Sequence, residues 1–346
     1  MRNIGNTNLK NSHYREELVG LRGIAIISVI VNHINPYFLP SGYLGVDIFF
    51  IISGYVITLS LDNKKHSKLS NFIIEFYERR IKRLIPTLIV YLIIISFLIL
   101  LFNPYSDIKY PISSLFGLSN IYLYMQSNEY FTNSINLNPF ANTWSLSVEQ
   151  QFYLIYPFIL WYTGFAEKRN KSSHRLLIVI SALSIASFIS FIFIYPNNQN
   201  AAYYLFPMRF WEIGIGSILY IVLKSNFYLI SFLKKIKSIY ILLFILVTFF
   251  LPIKLSIAAT ILINLLTFCL IYSIKENEIT MKILLNQKLK YIGLISYSLY
   301  LWHWGTLSIS RWTIGISWWT IPIQLIIIFA LSKFSFNYIE CFFRKK

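Results

Sequence analysis

The chain has 346 residues, of which 56% are hydrophobic, 18% aromatic and only 13% charged, and its mean hydropathy is +0.58. An average soluble domain is about a quarter charged, so this composition excludes an ordinary soluble protein. It also excludes a disordered chain, because so apolar a sequence buries enough surface to offset the entropy of ordering. The net charge is +17. In a membrane protein such an excess usually marks cytoplasmic loops, so it does not require a nucleic-acid partner.

Apolar segments long enough to cross about 30 Å of hydrocarbon as helices follow one another along the chain. A polar stretch of about 17 residues precedes the first one and lacks a signal-peptide pattern, so we expect it to be a retained cytoplasmic segment. Ten spans are predicted, at residues 18–38, 43–60, 84–102, 144–165, 176–195, 207–223, 238–252, 255–274, 291–310 and 318–336. The window 112–125 is shorter and contains Ser and Asn, so we expect it to be interfacial or re-entrant.

The positions of the basic residues favour this count. With ten spans and an internal N-terminus, 26 of the 31 Lys and Arg lie in clusters on the cytoplasmic side. A crossing at 112–125 would move the later clusters outside, against the usual bias. The sequence therefore predicts an all-α polytopic bundle of about ten transmembrane helices over 1–346, one membrane domain with both termini cytoplasmic. Cys269 and Cys341 are far apart and offer neither a disulfide framework nor a metal spacing, so we expect no metal site.

Ionisable residues inside the spans are functional candidates, because charge is expensive in lipid. In the predicted topology, five spans bring such residues to a similar depth in the outer half of the bundle. These are His33, Asp47, Glu149, Arg209 with Glu212, and His303; Trp144 is a weaker candidate beside Glu149, and Arg311 lies just beyond the ninth span. This convergence predicts a site in which His33 is a general base, oriented by Asp47 or Glu149.

Structural roles are the alternative for several of these residues. His303 can be a hydrogen-bonding group between helices. Asp47 can cap the second helix near its N-terminus, where free amides satisfy a carboxylate. Arg209 and Glu212 are three residues apart and can form an ion pair on one helix. The sequence leaves both sets of roles open.

A second group of candidates lies at the predicted cytoplasmic face. The stretch "FYERRIKRLIP" contains Arg79, Arg80 and Arg83 just before the third span, and Arg22 lies at the cytoplasmic end of the helix that carries His33. Guanidinium groups at helical spacing can neutralise several phosphates by forked hydrogen bonds. We therefore predict that a phosphate-bearing donor binds here and extends a flexible arm towards His33. A topogenic or anionic-lipid anchor is the alternative.

These motifs resemble a known family. The run "YREELVGLRGIAIISVIVNHINPYFLPSGYLGVDIFFIISGYVIT", followed by "FYERRIKRLIP", "NTWSLSVEQQFYLIYP" and "ISYSLYLWHW", is similar to the acyltransferase 3 family of bacterial integral membrane O-acyltransferases. The similarity runs from about Arg15 to the C-terminus. Gln150 stands where the family often has a second Glu, and Gly305 where a Pro is common. Because the sequence ends at Lys346, we expect the stand-alone form without a fused periplasmic hydrolase-like domain.

The resemblance implies transfer of an acyl group, commonly acetyl, from cytoplasmic acyl-CoA to hydroxyls of extracytoplasmic glycans such as O-antigen or exopolysaccharide, at the bacterial inner membrane. It implies that His33 is catalytic and that Glu149 corresponds to the glutamate of the family's Trp-Ser-Leu motif, whereas Asp47 is a catalytic candidate from its depth alone. It also implies that Arg22 and the arginines of the basic cluster, Arg79, Arg80 and Arg83, bind the CoA donor. For substrate contacts, Trp144, Arg209 and His303 are our candidates. No cofactor is expected to be bound permanently.

Two other classes of function stay open at this stage. Intramembrane Asp, Glu, His and Arg at one depth also suit a proton-coupled exporter of a glycan or lipid-linked sugar. A sensor or scaffold without chemistry explains neither the buried His nor the basic cluster. The expected partners are therefore acyl-CoA, a glycan or lipid-linked saccharide acceptor and the bilayer, whereas the acceptor sugar and the oligomeric state do not follow from the sequence.

Overall fold

The computed structural model describes residues 15–62, 67–102, 109–127, 137–225, 233, 235–276 and 278–345. Within these ranges the regular structure is entirely helical. The helices are α1 Glu16–Ile34, α2 Gly45–Asp62, α3 Leu69–Phe102, α4 Lys109–Leu115, α5 Ser119–Ser127, α6 Thr143–Tyr162, α7 Ser172–Ile194, α8 Gln199–Tyr204, α9 Phe206–Lys224, α10 Ser238–Thr248, α11 Ser256–Ser273, α12 Ile279–Leu284, α13 Gln287–Leu294, α14 Ser296–Trp312, α15 Ile321–Phe334 and α16 Cys341–Lys345. A π-helical turn, Ser335–Glu340, joins the last two helices. The predicted N-terminal segment is described only from residue 15, and parts of the predicted basic loops also lie outside the described residues.

Each of the ten predicted spans contains one of these helices. Among the described residues, seven helical segments are long and apolar enough to cross a membrane. They are Glu16–Ile34, Gly42–Asp62, Leu69–Phe102, Ser172–Ile194, Gln199–Lys224, Ile253–Ser273 and Ile321–Arg344. The other three predicted spans correspond to α6, to the 11-residue α10 and to the 17-residue α14. The chain is thus a helical multi-pass membrane protein by length and composition, and the count of ten and the orientation of the termini stay predictions.

The window 112–125 forms two short helices, α4 and α5, of seven and nine residues. At about 1.5 Å per residue neither helix can cross the hydrocarbon core. The prediction that this window is not a spanning helix therefore agrees with the structure.

The helix α3 begins earlier than its hydropathy predicts. It starts at Leu69 rather than near residue 84, so the basic cluster is helical. Ion pairs one turn apart, Glu75 with Arg79 and Glu78 with Lys82, link the polar side chains of this first part. Such pairs stabilise a helix, and Phe72 and Phe76 of the same part are buried in the core. With 34 residues, α3 is about 50 Å long and therefore exceeds the thickness of the hydrocarbon core.

Helices α1, α2, α9 and α14 form the interior of the bundle. The apolar windows of the segments around α1 and α2 are 61% and 72% buried, whereas those of α7 and of the segment that contains α15 are each only 22% buried. The helix α2 packs on α9, α7 packs on the far side of α9, and α1 contacts α2, α13 and α14. The polar side chains that the sequence singled out lie mostly on the four interior helices and on α6.

Two glycines set the distance between α2 and α9. A Cβ atom at Gly54 would lie 1.9 Å from the carbonyl oxygen of Ile213, and one at Gly216 would lie 1.9 Å from that of Ile51. Since lipid supplies no hydrophobic drive for helix association, small residues that let backbones approach are the usual basis of packing. This close approach brings the start of α2, with Asp47, against the start of α9, with Arg209.

Candidate active site

A large cavity, which we call the histidine chamber, lies between α1, α2, α6, α9, α11 and α14. Its volume is about 690 Å³. Its lining combines aromatic rings with a few polar groups, among them His33, Trp144, Tyr203, Arg209, Trp304 and Arg311. Pockets of this size and composition typically bind small molecules or parts of larger ones. Four residues predicted from the sequence, His33, Trp144, Arg209 and Arg311, thus border one space.

Two histidines from opposite ends of the chain meet at the chamber wall. The Nδ1 atom of His33 lies 3.0 Å from Nε2 of His303, and Nδ1 of His303 lies 2.9 Å from the carbonyl oxygen of Leu299. The rings are parallel to within 1°. Because a carbonyl oxygen can only accept, a neutral His303 carries its proton on Nδ1 and accepts at Nε2. His33 then donates from Nδ1, so its Nε2 is unprotonated and available to a substrate.

The end of α1 is held in place around His33. The guanidinium of Arg311 donates to the carbonyl oxygen of His33 at 2.8 Å and lies 5.3 Å from the centre of the Trp304 ring. Trp304 packs edge-on against the His33 ring and donates from Nε1 to the carbonyl oxygen of Asn138. Arg311 and Trp304 thus position the imidazole as well as line the chamber.

Asp47 contacts Arg209 rather than His33, the partner that the sequence predicted. Its carboxylate pairs with Arg209 at 3.2 Å, and Arg209 also pairs with Glu212. All three side chains are buried, and the guanidinium of Arg209 lies under the rings of Trp144 and Tyr203. The expected ion pair between Arg209 and Glu212 is therefore present, with a second carboxylate added. The orientation of His33 by Asp47 is a wrong prediction, since the close contact of α2 with α9 directs Asp47 to Arg209.

Glu149 also lies away from His33. Its Oε1 accepts a hydrogen bond from Ser53 at 2.5 Å, and its Oε2 accepts one from Tyr153 at 2.9 Å. These three residues border a second cavity that does not include His33. The prediction that Glu149 orients His33 is therefore wrong as well. Depth along the membrane normal placed the two residues near each other, but the helices direct them into different cavities.

This second cavity, which we call the arginine crevice, is narrow, with a volume of about 80 Å³. Arg22, Arg80 and Arg83 line it together with apolar side chains of α2 and α6. The Nε atoms of Arg80 and Arg83 are buried without a hydrogen-bond partner among the described residues. Buried donors without a partner are expensive, so these arginines are suited to an anionic ligand. Three of the four arginines predicted to bind the acyl donor thus come together.

Arg79 is the exception in this predicted group. It is not part of the crevice lining; its guanidinium pairs with Glu75 at 2.6 Å, and 39% of its side chain is exposed. Although Arg79 and Arg83 are one helical turn apart, only Arg83 lies in the crevice lining, because the side chain of Arg79 turns to Glu75. The role of Arg79 in donor binding stays a prediction.

The two cavities share a wall. Val46 and Tyr300 line both of them. The hydroxyl of Tyr300 lies 2.7 Å from that of Ser145 and 3.0 Å from the carbonyl oxygen of Asn142. The crevice therefore leads up to Tyr300, and the histidine chamber begins on its other side.

The sequence reasoning did not identify several residues of these cavities. Tyr300 and Tyr153 were not among the predicted site residues, yet both are buried in the bundle and line the crevice. Tyr153 follows Glu149 by four residues, and that helical spacing is a signal that could have predicted their contact. Nothing local predicts that His303 contacts His33, because 270 residues separate them.

Comparison with known proteins identifies the family of the chain. The model of the acyltransferase domain family matches residues 15–334. The chain belongs to this acyltransferase family. Its histidine chamber and arginine crevice both lie within the matched region.

Relatives of this acyltransferase-family chain occur in Staphylococcus aureus. The chain is 32% identical to a protein of strain MSSA476 named "Putative O-acetyltransferase SAS0844", over 99% of this chain and 59% of the relative. It is 29% identical to "O-acetyltransferase OatA" of strain NCTC 8325, over 96% of this chain and 58% of the relative. The chain thus spans about three fifths of the length of these relatives. No solved structure matches it at a significant level.

Proposed function

We propose that this chain is a multi-pass O-acyltransferase of the bacterial cytoplasmic membrane. It transfers an acyl group, acetyl in the simplest case, from cytoplasmic acyl-CoA to a hydroxyl of a cell-surface or periplasmic glycan such as O-antigen or exopolysaccharide. The proposal is supported by family membership and by the names of the relatives, which are O-acetyltransferases or putative ones. The observation that carries it is the shared wall between a cavity lined by arginines and a cavity lined by a histidine pair.

The arginine crevice is suited to the acyl donor. Guanidinium groups bind phosphate oxygens through paired hydrogen bonds and keep their charge at any physiological pH. Arg22, Arg80 and Arg83 would hold the phosphates of CoA, and the arm that carries the thioester would extend along the crevice towards Tyr300. Arg22 and His33 are eleven residues apart on α1, about 16 Å. An extended arm of CoA is long enough to cover that distance.

The histidine chamber is suited to the acceptor. The rings of Trp144, Tyr203 and Trp304 offer flat apolar surfaces beside polar groups, which matches the alternating apolar faces and hydroxyls of a sugar. In the proposed step, Nε2 of His33 takes the proton of a sugar hydroxyl while its oxygen attacks the thioester carbonyl. The tetrahedral intermediate then expels the CoA thiolate, which receives the proton from His33.

An acyl-His33 intermediate is the second route for the same site. Here Nε2 of His33 attacks the thioester carbonyl and the CoA thiolate leaves, which gives an acyl-imidazolium. The sugar hydroxyl then attacks the acyl carbon, the bond to Nε2 breaks to restore the neutral imidazole, and the CoA thiolate receives the proton of the hydroxyl. Both routes need an unprotonated Nε2 and therefore the same tautomer, which the hydrogen bond to His303 provides. A covalent acyl adduct trapped on His33 would distinguish the second route from the first.

The test is transfer of label from radioactive acetyl-CoA to surface polysaccharide of the source cell by the purified chain in liposomes. We expect labelled polysaccharide with the wild type and background label with His33→Ala. Equal labelling by the two proteins would contradict the role of His33. Gradient-driven movement of glycan without consumption of acetyl-CoA would contradict the proposal and favour an exporter.

A further inference from the structure

One buried carboxylate has no role in the transfer step described above. Glu149 lies in the lining of the arginine crevice, held by Ser53 through one oxygen and by Tyr153 through the other. Glu149 and Ser53 are only half-buried although they lie within the bundle. Since both line the crevice, their remaining surface faces it. The crevice therefore presents a fixed, negatively charged group to whatever enters.

The geometry leaves Glu149 free to accept further hydrogen bonds. A carboxylate has about four acceptor positions, and Ser53 and Tyr153 fill two of them. Tyr153 in turn lies under the guanidinium of Arg80, whose carbon is 5.6 Å from the ring centre. The carboxylate is thus held in one orientation with acceptor capacity left over. A ligand that donates an N–H is the natural complement of such a group.

The charges that line the crevice restrict what can bind there. Arg80 and Arg83 attract an anion, whereas the carboxylate of Glu149 repels one. The lining also includes apolar side chains, among them Phe49, Ile52 and Leu146. The arginines therefore favour an anionic group of a ligand, and Glu149 favours a neutral part that donates hydrogen bonds.

We propose that Glu149, positioned by Ser53 and Tyr153, is a subsite that accepts an amide N–H of the pantetheine arm of the acyl donor. The inference rests on the proposed function, because it assumes that the donor is an acyl-CoA. It adds a specificity determinant: the chain selects donors whose arm carries an amide at the level of Glu149. The interaction makes and breaks no covalent bond, so Ser53 stays a hydroxyl throughout.

The test replaces one atom of the donor. Two analogues of acetyl-CoA are prepared, and in each of them one amide N–H of the pantetheine arm is replaced by oxygen. We expect the wild type in liposomes to use acetyl-CoA with a kcat/KM about tenfold above that of one analogue, the scale of a lost hydrogen bond to a charged group. In Glu149→Leu, which has no acceptor, this preference is expected to fall to within twofold.

Matched variants separate this role from a general effect on folding. Glu149→Gln keeps a carbonyl acceptor and should retain part of the preference. Gln150→Leu changes the neighbouring residue, which does not line the crevice, and should retain all of it. Equal use of acetyl-CoA and both analogues by the wild type would overturn the inference, as would a preference that persists in Glu149→Leu.

A binding measurement keeps the inference independent of catalysis. Dissociation constants of CoA and of its two oxygen analogues are measured with the detergent-solubilised wild type and with Glu149→Leu. The subsite is supported if the wild type binds one analogue more weakly than CoA whereas Glu149→Leu does not. This holds even if no glycan is acylated, because missing acylation would contradict only the proposed function. An acetyl group found on Ser53 by mass spectrometry would overturn the inference, since Ser53 and Glu149 would then be a nucleophile and its base.

Discussion

The histidine chamber and the arginine crevice differ in how far their charged groups are paired. In the chamber, Arg209 is paired with two carboxylates, and His33 is hydrogen-bonded to a second imidazole. In the crevice, Arg80 and Arg83 have buried Nε atoms without partners among the described residues, and Glu149 is the acidic residue in the lining. A region whose charges are paired suits a neutral substrate, whereas a region with surplus positive charge attracts an anion. This difference supports our proposal that the chamber receives the acceptor and the crevice the acyl donor.

The largest effect is expected from the chamber. His33→Ala should lower the rate of acetyl transfer by about a hundredfold to ten-thousandfold, the range typical for loss of a general base. The rate is measured as label transferred to polysaccharide at saturating acetyl-CoA. His174→Ala, at an exposed position near the start of α7, is the control and should leave the rate unchanged. A comparable loss in both variants would mean that the assay reports damage to the fold.

The next effect concerns the orientation of His33. His303→Ala should lower kcat about tenfold to hundredfold, by analogy with the loss of a hydrogen-bond partner that orients a metal-bound imidazole. His303→Gln should retain more activity, because its amide oxygen can accept from Nδ1 of His33. The pH profile of kcat is the second measurement, since loss of the partner should alter the ionisation of His33. If both variants have the same kcat as each other and keep the pH profile of the wild type, His303 only connects helices and does not orient His33.

The arginine crevice is tested by a pair of adjacent residues. Arg80→Ala should raise the KM for acetyl-CoA about tenfold, since a hydrogen bond to a charged group is worth about 1.5–3 kcal/mol. Arg79→Ala should leave that KM within twofold, because Arg79 pairs with Glu75 outside the crevice. Initial rates at varied acetyl-CoA give both values. Equal changes in the two variants would favour an electrostatic effect of the whole cluster, as expected for a lipid anchor.

The smallest effect is expected at the shared wall. Tyr300→Phe removes a hydroxyl that bonds Ser145 and Asn142, at a cost of about 0.5–1.5 kcal/mol per bond. Because Tyr300 borders both cavities, the KM values for acetyl-CoA and for the glycan should each change several-fold. Tyr297→Phe is the comparison, since Tyr297 lines the crevice only and should change the KM for acetyl-CoA alone. If both variants change the same single KM, the shared wall has no functional meaning.

Hydropathy predicted where helices occur along the chain, but it predicted the residues at which they begin and end less well. All ten predicted spans contain helices, because long apolar runs have few alternatives in lipid. The start of α3 was missed by about 15 residues, since its first part mixes charged residues that form ion pairs with only a few buried apolar ones, such as Phe72 and Phe76, and so lacks a long apolar run. Helices α6 and α14 fall outside the seven clear candidates for spans among the described residues. Both carry polar residues that face the interior of the bundle, such as Ser145 and His303.

The residue types of the candidate site were predictable, but several of their contacts were not. Asp47, Glu149 and His33 were expected to meet because they lie at a similar depth. In the structure Asp47 pairs with Arg209 and Glu149 binds Ser53, while His303 occupies the position next to His33. The structural alternative for His303, a hydrogen bond between helices, is therefore also present, and that bond fixes the tautomer of His33.

The residues alone are sufficient to predict a helical membrane protein and its family, and they nominate the histidine, arginine and carboxylate side chains of the candidate site. These properties depend on hydropathy and motif spacing, which are local. Only the tertiary structure decides that His33 meets His303, that Arg79 lies outside the crevice lined by Arg80 and Arg83, and that two cavities meet at Tyr300. The reason is geometric: spacing along a helix gives the depth of a side chain, whereas the direction in which it points and the partner it meets depend on how distant helices pack.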